Sequence, residues 1–405
     1  MSHSNTVLSQ LLKLLPRHEF EKLANQVDGK VRSTALTRWS QFIALTVGQL
    51  NGRRSLRDIE NCMNAQSHLH YHLGNQSVSK SSLARANEQR DYQFYTQLFE
   101  LLYQRCVKSS PKHSFRFKNK LFSMDGSLLD VSMKLFPWAD YNLKKSAFKL
   151  HIGLDHDGLI PCFARVTEGR VAESQIAREF DVPAGSVLIF DKGYNSYEWH
   201  NALTEKGIYW VTRIRSNAQY EVVKEREFVS NGKVIGEQVI KYTSKVNGRN
   251  KYAPIRLIKY RDPETGKDYE FITNHFGWSA QTIADIYKQR WQVELFFKWI
   301  KQNLKIKSFL GNSKNAVLTQ VLSALCVYLL VSFLKFQSKI TQSMQVICRL
   351  LHTNLFAKRN LHALFEKRKP ELNISPQLQL SLARAMARQR LAAQSIRNST
   401  QRCDH

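Results

Sequence analysis

The chain has 405 residues, 43% of them hydrophobic, so it is long and apolar enough to fold into about two or three domains, which argues against a disordered protein. Its 60 Lys and Arg residues against 33 Asp and Glu give a net charge of +27, which indicates a polyanionic partner, with nucleic acid favoured over an anionic membrane surface. The six cysteines are scattered without a Cys-x-x-Cys pair and no N-terminal signal peptide is visible, so reduced thiols in the cytosol are expected.

The N-terminal part of the chain has a helical pattern. From Leu8 to about Leu102 apolar residues recur at intervals of three and four, which predicts a helical DNA-binding domain over residues 1–115. His68, His70 and His72 would lie on one side if this stretch were a strand, and could then bind zinc. We do not favour zinc there, because no cysteine or acid lies suitably near and a helical turn would splay the rings.

A candidate DNA-reading helix lies within this domain. Ser77 or Ser79 can cap a helix that would expose Lys80, Arg85 and Arg90. Such a helix could read DNA in a helix-turn-helix-like arrangement, and an ordinary basic surface helix is an equally good interpretation.

From residue 116 to residue 215 the pattern changes to short strands separated by helices, which predicts the first part of a mixed α/β core. The predicted strands are Leu121–Met124, Phe148–Leu154, Pro161–Val166, Val187–Phe190 and Ile208–Ile214. Helices are predicted around Ala172–Phe180 and Tyr197–Lys206.

Residues 216–276 have a different character. They contain β-like segments with turn signals at Asn231-Gly232, Asn247-Gly248 and Thr265-Gly266. The sequence therefore predicts an all-β insertion that interrupts the α/β core, whose second part covers residues 277–336.

The second part of the core carries a charged stripe. On one α-helix, at about 100° per residue, Tyr287, Arg290, Glu294 and Lys301 fall within an arc of roughly 60°, and Lys298 and Lys305 lie close by. The rest of this stretch is rich in Trp, Phe and Ile, so the stripe should face a cleft in the protein. A carboxylate among cations suits a metal ligand beside a phosphate backbone. The alternative is a solvated helix stabilised by i,i+4 ion pairs, which the apolar surround disfavours.

The end of the chain is apolar and then basic. Ala316–Phe336 is apolar over about the length of a membrane span, but Thr, Gln, Ser and Lys residues interrupt it, so we expect a buried helix and no membrane contact. Residues 337–405 form a basic C-terminal region, with Lys367, Arg368 and Lys369 near its middle, and are expected to be helical and to contact DNA. Its last thirty or so residues lack a clear apolar face, which suggests partial disorder.

Two aspartates end predicted strands. Asp125 follows Leu121–Met124 and Asp191 follows Val187–Phe190, and sites in α/β sheets are built at that edge. Together with Glu294 they could hold two divalent cations through oxygen ligands, as Mg²⁺ prefers. Asp130 is the runner-up for the first acid. Asp155-His156-Asp157-Gly158 is typical of a hairpin turn and is interpreted as structural.

These residues resemble a bacterial DDE transposase of the insertion-sequence-four type. The matching segments span roughly residues 120–312 in the right order, and the most specific is the tyrosine-arginine-glutamate-lysine series. The others are Met124-Asp125-Gly126-Ser127, Leu135-Phe136-Pro137-Trp138-Ala139, Lys149-Leu150-His151, Phe190-Asp191-Lys192-Gly193-Tyr194 and Trp210-Val211-Thr212-Arg213.

The resemblance implies a ribonuclease-H-like α/β core in which Asp125, Asp191 and Glu294 are catalytic and bind Mg²⁺, for which Mn²⁺ can substitute. It implies that Tyr287, Arg290 and Lys301 contact DNA phosphates near the cut. Some members stack a flipped base on a tryptophan of the β-rich insertion or its edge. Trp278 and Trp210 are the candidates, although Trp210 sits within a strand pattern typical of a buried residue.

The activity implied is cut-and-paste transposition. Such an enzyme binds double-stranded DNA at terminal inverted repeats, cleaves at the element ends and joins the 3′-hydroxyls to target DNA, as a homodimer in a synaptic complex. It would act in the bacterial cytoplasm at the nucleoid. The alternatives are a catalytically inactive DNA-binding protein derived from a transposase and a nuclease that hydrolyses DNA without joining it.

Overall fold

The computed structural model describes residues 5–29, 36–75, 77–131, 136, 138, 140–142, 145–228, 232–243, 252–304 and 309–366. As predicted, the described N-terminal part is helical. Its helices are α1 Val7–Leu12, α2 Arg17–Asp28, α3 Arg38–Leu50, α4 Leu56–Asn64, α5 His70–Leu73, α6 Lys80–Gln89 and α7 Gln93–Val107, with a 3₁₀ turn at Ser67–Leu69.

The candidate DNA-reading helix is α6. Ser79 caps it by accepting a hydrogen bond from the backbone N–H of Ser82 at 3.2 Å, so Ser79 fills the role assigned to it or to Ser77. Lys80 and Arg85 are exposed, as predicted. The prediction that Arg90 is exposed is wrong. The helix ends at Gln89, and the Arg90 guanidinium turns inward to the carbonyl of Leu36 and to Gln41 Oε1.

The three alternating histidines do not lie on a strand. His68 belongs to the 3₁₀ turn, while His70 and His72 belong to α5, so the rings do not share one side. The ring of His70 is hydrogen-bonded through Nε2 to the carbonyl of Met63 at 3.0 Å. Among the residues that the structure describes, no cluster of His, Cys, Asp and Glu is arranged to hold a metal ion here or elsewhere.

A large mixed sheet forms the centre of the chain. Its strands are β1 Leu121–Val131, β2 Asp140–Asn142, β3 Lys145–Asp155, β4 Ile160–Glu168, β5 Val187–Phe190, β6 Tyr209–Arg213, β7 Tyr220–Glu225, β8 Val234–Tyr242, β9 Ile255–Arg261 and β10 Asp268–Thr273. The order is β2-β3-β1-β5-β6-β10-β9-β8-β7, with β4 beside β3. Strand β5 is parallel to both β1 and β6, and the other pairs are antiparallel.

Helices cover the two faces of this sheet. Successive residues of a strand point to opposite faces, so Leu188 and Phe190 enter one apolar cluster while Val187 and Ile189 enter the other. The first face is covered by α8 Glu173–Ala177 and α9 Tyr197–Glu205, and the second by α10 Ala280–Lys288. The predicted α/β architecture is confirmed.

The predicted β-rich insertion is not confirmed as a separate unit. Its described residues do form strands, β7 to β10, and a turn occurs at Thr265-Gly266. However, β10 pairs with β6, so these strands continue the central sheet. Their side chains, including Ile240, Leu257 and Ile272, share an apolar cluster with Phe190. Turn signals alone did not predict this, because the pairing of β10 with β6 is a long-range contact.

The apolar segment near residue 320 is a buried helix, as predicted. Helix α12 spans Lys314–Gln337 and packs against α3, α6 and α7 and against β4. It is long and apolar enough to cross a membrane, but its most apolar stretch is wholly buried in the protein. It follows α11 Trp291–Asn303 in the chain.

Residues 1–364 form one compact unit, and residues 365–405 form a second. The first unit ends with α13 Met344–Asn354 and a 3₁₀ turn at His362–Leu364. The backbone N–H groups of Val7 and Leu8 donate to the carbonyls of Ala357 and Leu355. The segment that carries Leu355 and Ala357 is therefore joined to the N-terminal helices. Lys367, Arg368 and Lys369, with the remainder of the basic C-terminal region, lie outside the described residues.

A buried ion pair fixes the added strands to the start of α10. Arg256 and Glu237 are 2% and 4% exposed, and the guanidinium donates twice to the carboxylate at 2.8 Å. Arg256 also donates to the carbonyls of His275 and Trp278, in the segment that leads into α10.

We predict that Glu237→Leu lowers the free energy of unfolding by about 3–5 kcal/mol, because it leaves a buried guanidinium without its carboxylate. The double variant Glu237→Leu/Arg256→Met should recover part of that loss in urea unfolding. Asp268→Asn, which breaks an exposed pair with Arg261, is the control and should change little. A single variant no worse than this control would contradict the structural role.

Candidate active site

The register of β1 on β5 brings two predicted acids side by side. Met124 lies opposite Phe190 at the end of the parallel pairing, and the next residues along the chain are Asp125 in β1 and Asp191 just after β5. Because neighbouring strands are about 4.8 Å apart, both aspartates lie at one point of the sheet edge. This is the juxtaposition that the sequence predicts.

The prediction that Asp125 ends its strand is wrong, whereas Asp191 does follow the last residue of β5. Strand β1 continues to Val131 because β3 goes on pairing with it, Asp125 lying opposite Ile152. Asp125 is therefore held by β3 on one side, while on the other side the pairing with β5 has ended.

Glu294 reaches this edge from a second helix. The stretch predicted as one helix is two, α10 and α11, separated at Gln289 and Arg290. The two helices pack on different parts of the sheet, α10 against β6, β8 and β10, and α11 against β1 and β3. The single stripe predicted from Tyr287 onward is therefore divided, with Tyr287 on α10 and Glu294 on α11.

Lys301 fixes α11 over β1. Lying seven residues after Glu294, it is on the same side of the helix, and its ammonium donates to Ser127 Oγ at 2.7 Å and to the Leu128 carbonyl at 3.0 Å. Both acceptors lie just beyond Asp125 in β1. This contact orients the face of the helix that carries Glu294 toward Asp125.

Each of the three acids contacts an arginine. Arg290 lies between two of them, with Nη1 3.6 Å from Asp125 Oδ2 and Nη2 2.5 Å from Glu294 Oε1. Arg213, at the end of β6, donates from Nη2 to Asp191 Oδ1 at 3.1 Å. The hydroxyl of Tyr287 donates to the same oxygen at 3.4 Å. Arg290 thus joins Asp125 to Glu294, while Asp191 is paired with Arg213.

The two aspartates have opposite pKa shifts. Burial raises the pKa of Asp125, whereas the backbone N–H of Gly126 and the charge of Arg290 lower it. The effect of burial is the largest, and the pKa is about 6. Burial would also raise the pKa of Asp191, but the hydrogen bond from Arg213 and the charge of Arg290 outweigh it, and the pKa falls below its usual value. Asp191 is therefore the more stably charged of the pair.

The donor set fits a divalent cation by its chemistry. Three carboxylates offer only oxygen ligands, and the raised pKa of Asp125 means that its negative charge lacks full compensation. Within the described part of the chain, however, no three acidic, histidine or cysteine side chains stand close enough to chelate one ion, since arginines contact the acids. The residues that would hold a cation are Asp125, Asp191 and Glu294.

Other predicted site residues lie in different places. Lys298 is exposed on α11, and Lys80 and Arg85 are exposed on α6 in the N-terminal helices. Lys305 lies outside the described residues, as does the side chain of Asp130. Asp155 and Asp157 are buried and paired with Lys112 and Lys120, in agreement with the structural role expected of that turn.

The two tryptophans proposed to stack a base are already engaged. Trp210 is fully buried, and Trp278 stacks on His275 and Phe117 with ring centroids 3.7 and 4.5 Å apart. Trp291, which the sequence reasoning missed, is 55% exposed at the start of α11. Its position next to Arg290 and three residues before Glu294 was the available signal.

Two charged residues of the site were also missed. Arg213 ends β6, the strand beside β5, so the strand-end reasoning used for Asp191 could have found it. Glu173 is the first residue of α8. Its negative charge raises the pKa of Asp125, although burial has the larger effect. No local sequence signal marks Glu173, because only the fold brings α8 to this edge.

The model of the family described as Transposase DDE domain matches residues 117–330, which contain all three acids. A domain of unknown function (DUF4372) matches residues 3–76. A putative transposase, y4zB, of Sinorhizobium fredii is 32% identical over 74% of this chain and 83% of its own length. The transposase InsG for insertion sequence element IS4 of Escherichia coli is 25% identical over 38% of this chain and 35% of its own.

A solved structure with a similar chain is the piggyBac transposase synaptic complex with hairpin DNA. The match has a TM-score of 0.42 and 13% identity and covers 94% of this chain and 85% of the other.

We predict a pH-dependent gain of stability for Asp125→Asn. The pKa of Asp125 is raised in the folded chain, so its charged form opposes folding at pH values above about 6; this penalty shrinks as the pH falls and is gone below about 4. Without divalent cations, urea unfolding should find the variant more stable than the wild type by about 1–3 kcal/mol at pH 8, with little difference at pH 4.

Asp181→Asn, which changes an aspartate whose side chain is 80% exposed, is the control and should give the same small difference at both pH values. An Asp125→Asn difference independent of pH would contradict the pKa assignment.

Proposed function

The chain belongs to the DDE transposases of the insertion-sequence-four type, and from that membership we propose that it moves its own element by a cut-and-paste reaction. The protein would bind the terminal inverted repeats, cleave at the element ends and join the freed 3′-hydroxyls to target DNA. The observation that carries the proposal is the adjacency of Asp125 and Asp191, with Glu294 joined to Asp125 through Arg290.

The proposed core is ribonuclease-H-like. This is supported by the strand order β4-β3-β1-β5-β6. Strands β4, β3 and β1 pair in antiparallel fashion, and β5 and β6 then run parallel to β1. The remaining strands, β7 to β10, extend this core from the side of β6.

Asp125, Asp191 and Glu294 are proposed to hold two Mg²⁺ ions, or Mn²⁺ in their place. When bound, such ions activate the attacking oxygen and stabilise the leaving oxygen of the phosphodiester. The role of the chain is to fix the carboxylates. Strands β1 and β5 place the aspartates, and Lys301 on Ser127 places the helix that carries Glu294.

Arg290 and Tyr287 are proposed to bind the phosphate near the cut. The Arg290 Nε atom is buried and lacks a hydrogen-bond partner among the described residues, so the guanidinium has donor capacity left. Its planar fork can bind a phosphate through two hydrogen bonds. We propose that Arg290 turns from the carboxylates to the phosphate once cations neutralise those carboxylates.

The remaining DNA contacts are proposed from charge. The net charge of +27 favours a long DNA interface through counterion release. Lys298, Lys301 and Lys305 would continue the contact beyond Glu294, while Lys80 and Arg85 on α6 would read the terminal repeats. A homodimer in a synaptic complex, in the bacterial cytoplasm at the nucleoid, would hold both element ends.

We predict that the wild-type protein cuts DNA carrying both flanks of its own gene in Mg²⁺ or Mn²⁺ and joins the released ends to a plasmid. Asp191→Asn and Glu294→Gln should each lower the cleavage rate by about 100-fold or more, because several kcal/mol of transition-state stabilisation are lost. The rates are measured from labelled DNA on denaturing gels.

Asp181→Asn, on the exposed surface, is the matched control and should cut like the wild type. Binding without cutting, in either metal, would favour the catalytically inactive DNA-binding protein. Cutting without joined products would favour a hydrolytic nuclease.

We also propose that Trp291 stacks on a base beside the cut, since it exposes an aromatic ring close to Glu294. Trp291→Ala should weaken DNA binding by about 5- to 150-fold, as the loss of one base stack is worth about 1–3 kcal/mol. Fluorescence anisotropy with a labelled end fragment measures this. Tyr71→Ala, which removes a ring 89% exposed on α5, is the comparison, and equal affinities for the two variants would argue against the stacking role.

A further inference from the structure

We propose that Glu173 is a fourth acidic residue of the active site and that, with Asp191, it binds a hydrated divalent cation. The inference rests on the proposed function and deepens it, because it adds a ligand-binding side chain beyond Asp125, Asp191 and Glu294. Glu173 is the first residue of α8, which packs against the 3₁₀ turn Lys192–Tyr194 that follows Asp191.

Gly193 marks the approach of the two carboxylates. A Cβ atom at this glycine would lie 2.9 Å from Glu173 Oε2 and 3.9 Å from Asp191 Oδ2. Both oxygens therefore face the same small space, which a side chain at position 193 would fill. Gly193 does not have a positive φ, so its backbone conformation does not require glycine. The lack of room beside it is what requires a residue without a side chain.

A buried hydroxyl points to a ligand at this place. Tyr194 is 0% exposed, and its hydroxyl has no hydrogen-bond partner among the described residues. Burial raises the pKa of this phenol well above its usual value, and the charges of Glu173, Asp125 and Asp191 raise it further. An unsatisfied buried hydroxyl costs about 1–3 kcal/mol, so a water molecule or other polar partner is expected beside it.

A second buried polar atom faces the same region. A Cβ atom on Gly126, the residue after Asp125, would lie 3.2 Å from the Tyr194 hydroxyl and 3.2 Å from His151 Nδ1. That nitrogen is also buried without a partner in the described part of the chain. Two unpartnered polar atoms thus converge beside Gly126, on the face of the sheet that α8 covers, where a water molecule could satisfy both.

The ion pair of Glu173 with Lys149 does not account for this geometry. Lys149 Nζ lies 3.3 Å from Glu173 Oε1, whereas the second oxygen, Oε2, is the one at Gly193. A structural ion pair would leave the buried hydroxyl of Tyr194 without a partner. One oxygen of Glu173 is therefore assigned to Lys149 and the other to the cation site.

The cation class follows from the ligands. All contributing side chains are carboxylates, which favours Mg²⁺ or Mn²⁺ over softer metals. Because the described acids stand too far apart to chelate an ion directly, binding through the ion's water molecules is expected, as is common for Mg²⁺. Glu173 would then be a positioning residue that accepts hydrogen bonds from metal-bound water.

The test is Mn²⁺ binding to the full chain, measured by titration calorimetry without DNA. Glu173→Gln keeps the shape of the side chain and removes its charge, and it should weaken Mn²⁺ binding by about 10- to 100-fold, as is usual for residues around metal ligands. Lys149→Met removes the competing ammonium and should bind Mn²⁺ at least as tightly as the wild type. Glu179→Gln, which breaks an exposed pair with Arg165 nearby, should have no effect.

Wild-type affinity in Glu173→Gln would overturn the inference, and so would equal weakening in Lys149→Met, since Glu173 would then act only as an ion-pair partner. If the wild type bound no Mn²⁺, both this inference and the proposed function would be overturned. Wild-type affinity in Glu173→Gln would overturn this inference alone, so the two failures are distinguishable. Thermal unfolding checks that each variant folds. Should Glu173→Gln unfold, Gly193→Ala gives an independent test, because its Cβ must displace the carboxylate and weaken binding.

Discussion

The parallel pairing of β1 with β5 is the constraint on which the site depends. Its register places Asp125 next to Asp191 at the point where β5 ends. Two carboxylates held this close repel each other, and burial raises the cost of charging them. The surrounding structure compensates for that placement. The residues that approach the pair from the end of β6 and from the junction between α10 and α11 are both arginines.

This compensation explains why the helical segment is divided. Helix α10 must pack on the extended sheet, where Tyr287 contacts Phe271 and reaches Asp191. Helix α11 must cross β1, where Lys301 is bonded to Ser127. One straight helix could not follow both parts of a twisted sheet, and the break brings Arg290 between Asp125 and Glu294. The extension of the sheet by β7 to β10 is therefore connected to the geometry of the acids.

The sequence predicted those parts of the structure that local patterns encode. Strand β5, the buried helix α12 and the position of Asp191 follow from apolar runs and their lengths. It failed where distant contacts decide the outcome. The continuation of β1 past Asp125 depends on β3, the inward turn of Arg90 on the carbonyl of Leu36, and the place of Glu173 on how α8 packs. None of these partners is near in sequence, so no local pattern could indicate them.

The charge balance of the site connects cation binding with DNA binding. Among the described residues, four carboxylates (Asp125, Asp191, Glu173 and Glu294) are in contact with or close to three cations (Arg213, Arg290 and Lys149). A DNA phosphate adds negative charge to this set, although the chain as a whole is strongly basic. The phosphate can approach only if further positive charge enters, or if Arg290 leaves the carboxylates to meet it. Divalent cations would provide both conditions, since neutralising Asp125 and Glu294 weakens their hold on Arg290. Cation and DNA should therefore bind with positive coupling, each raising the affinity of the other by the same factor.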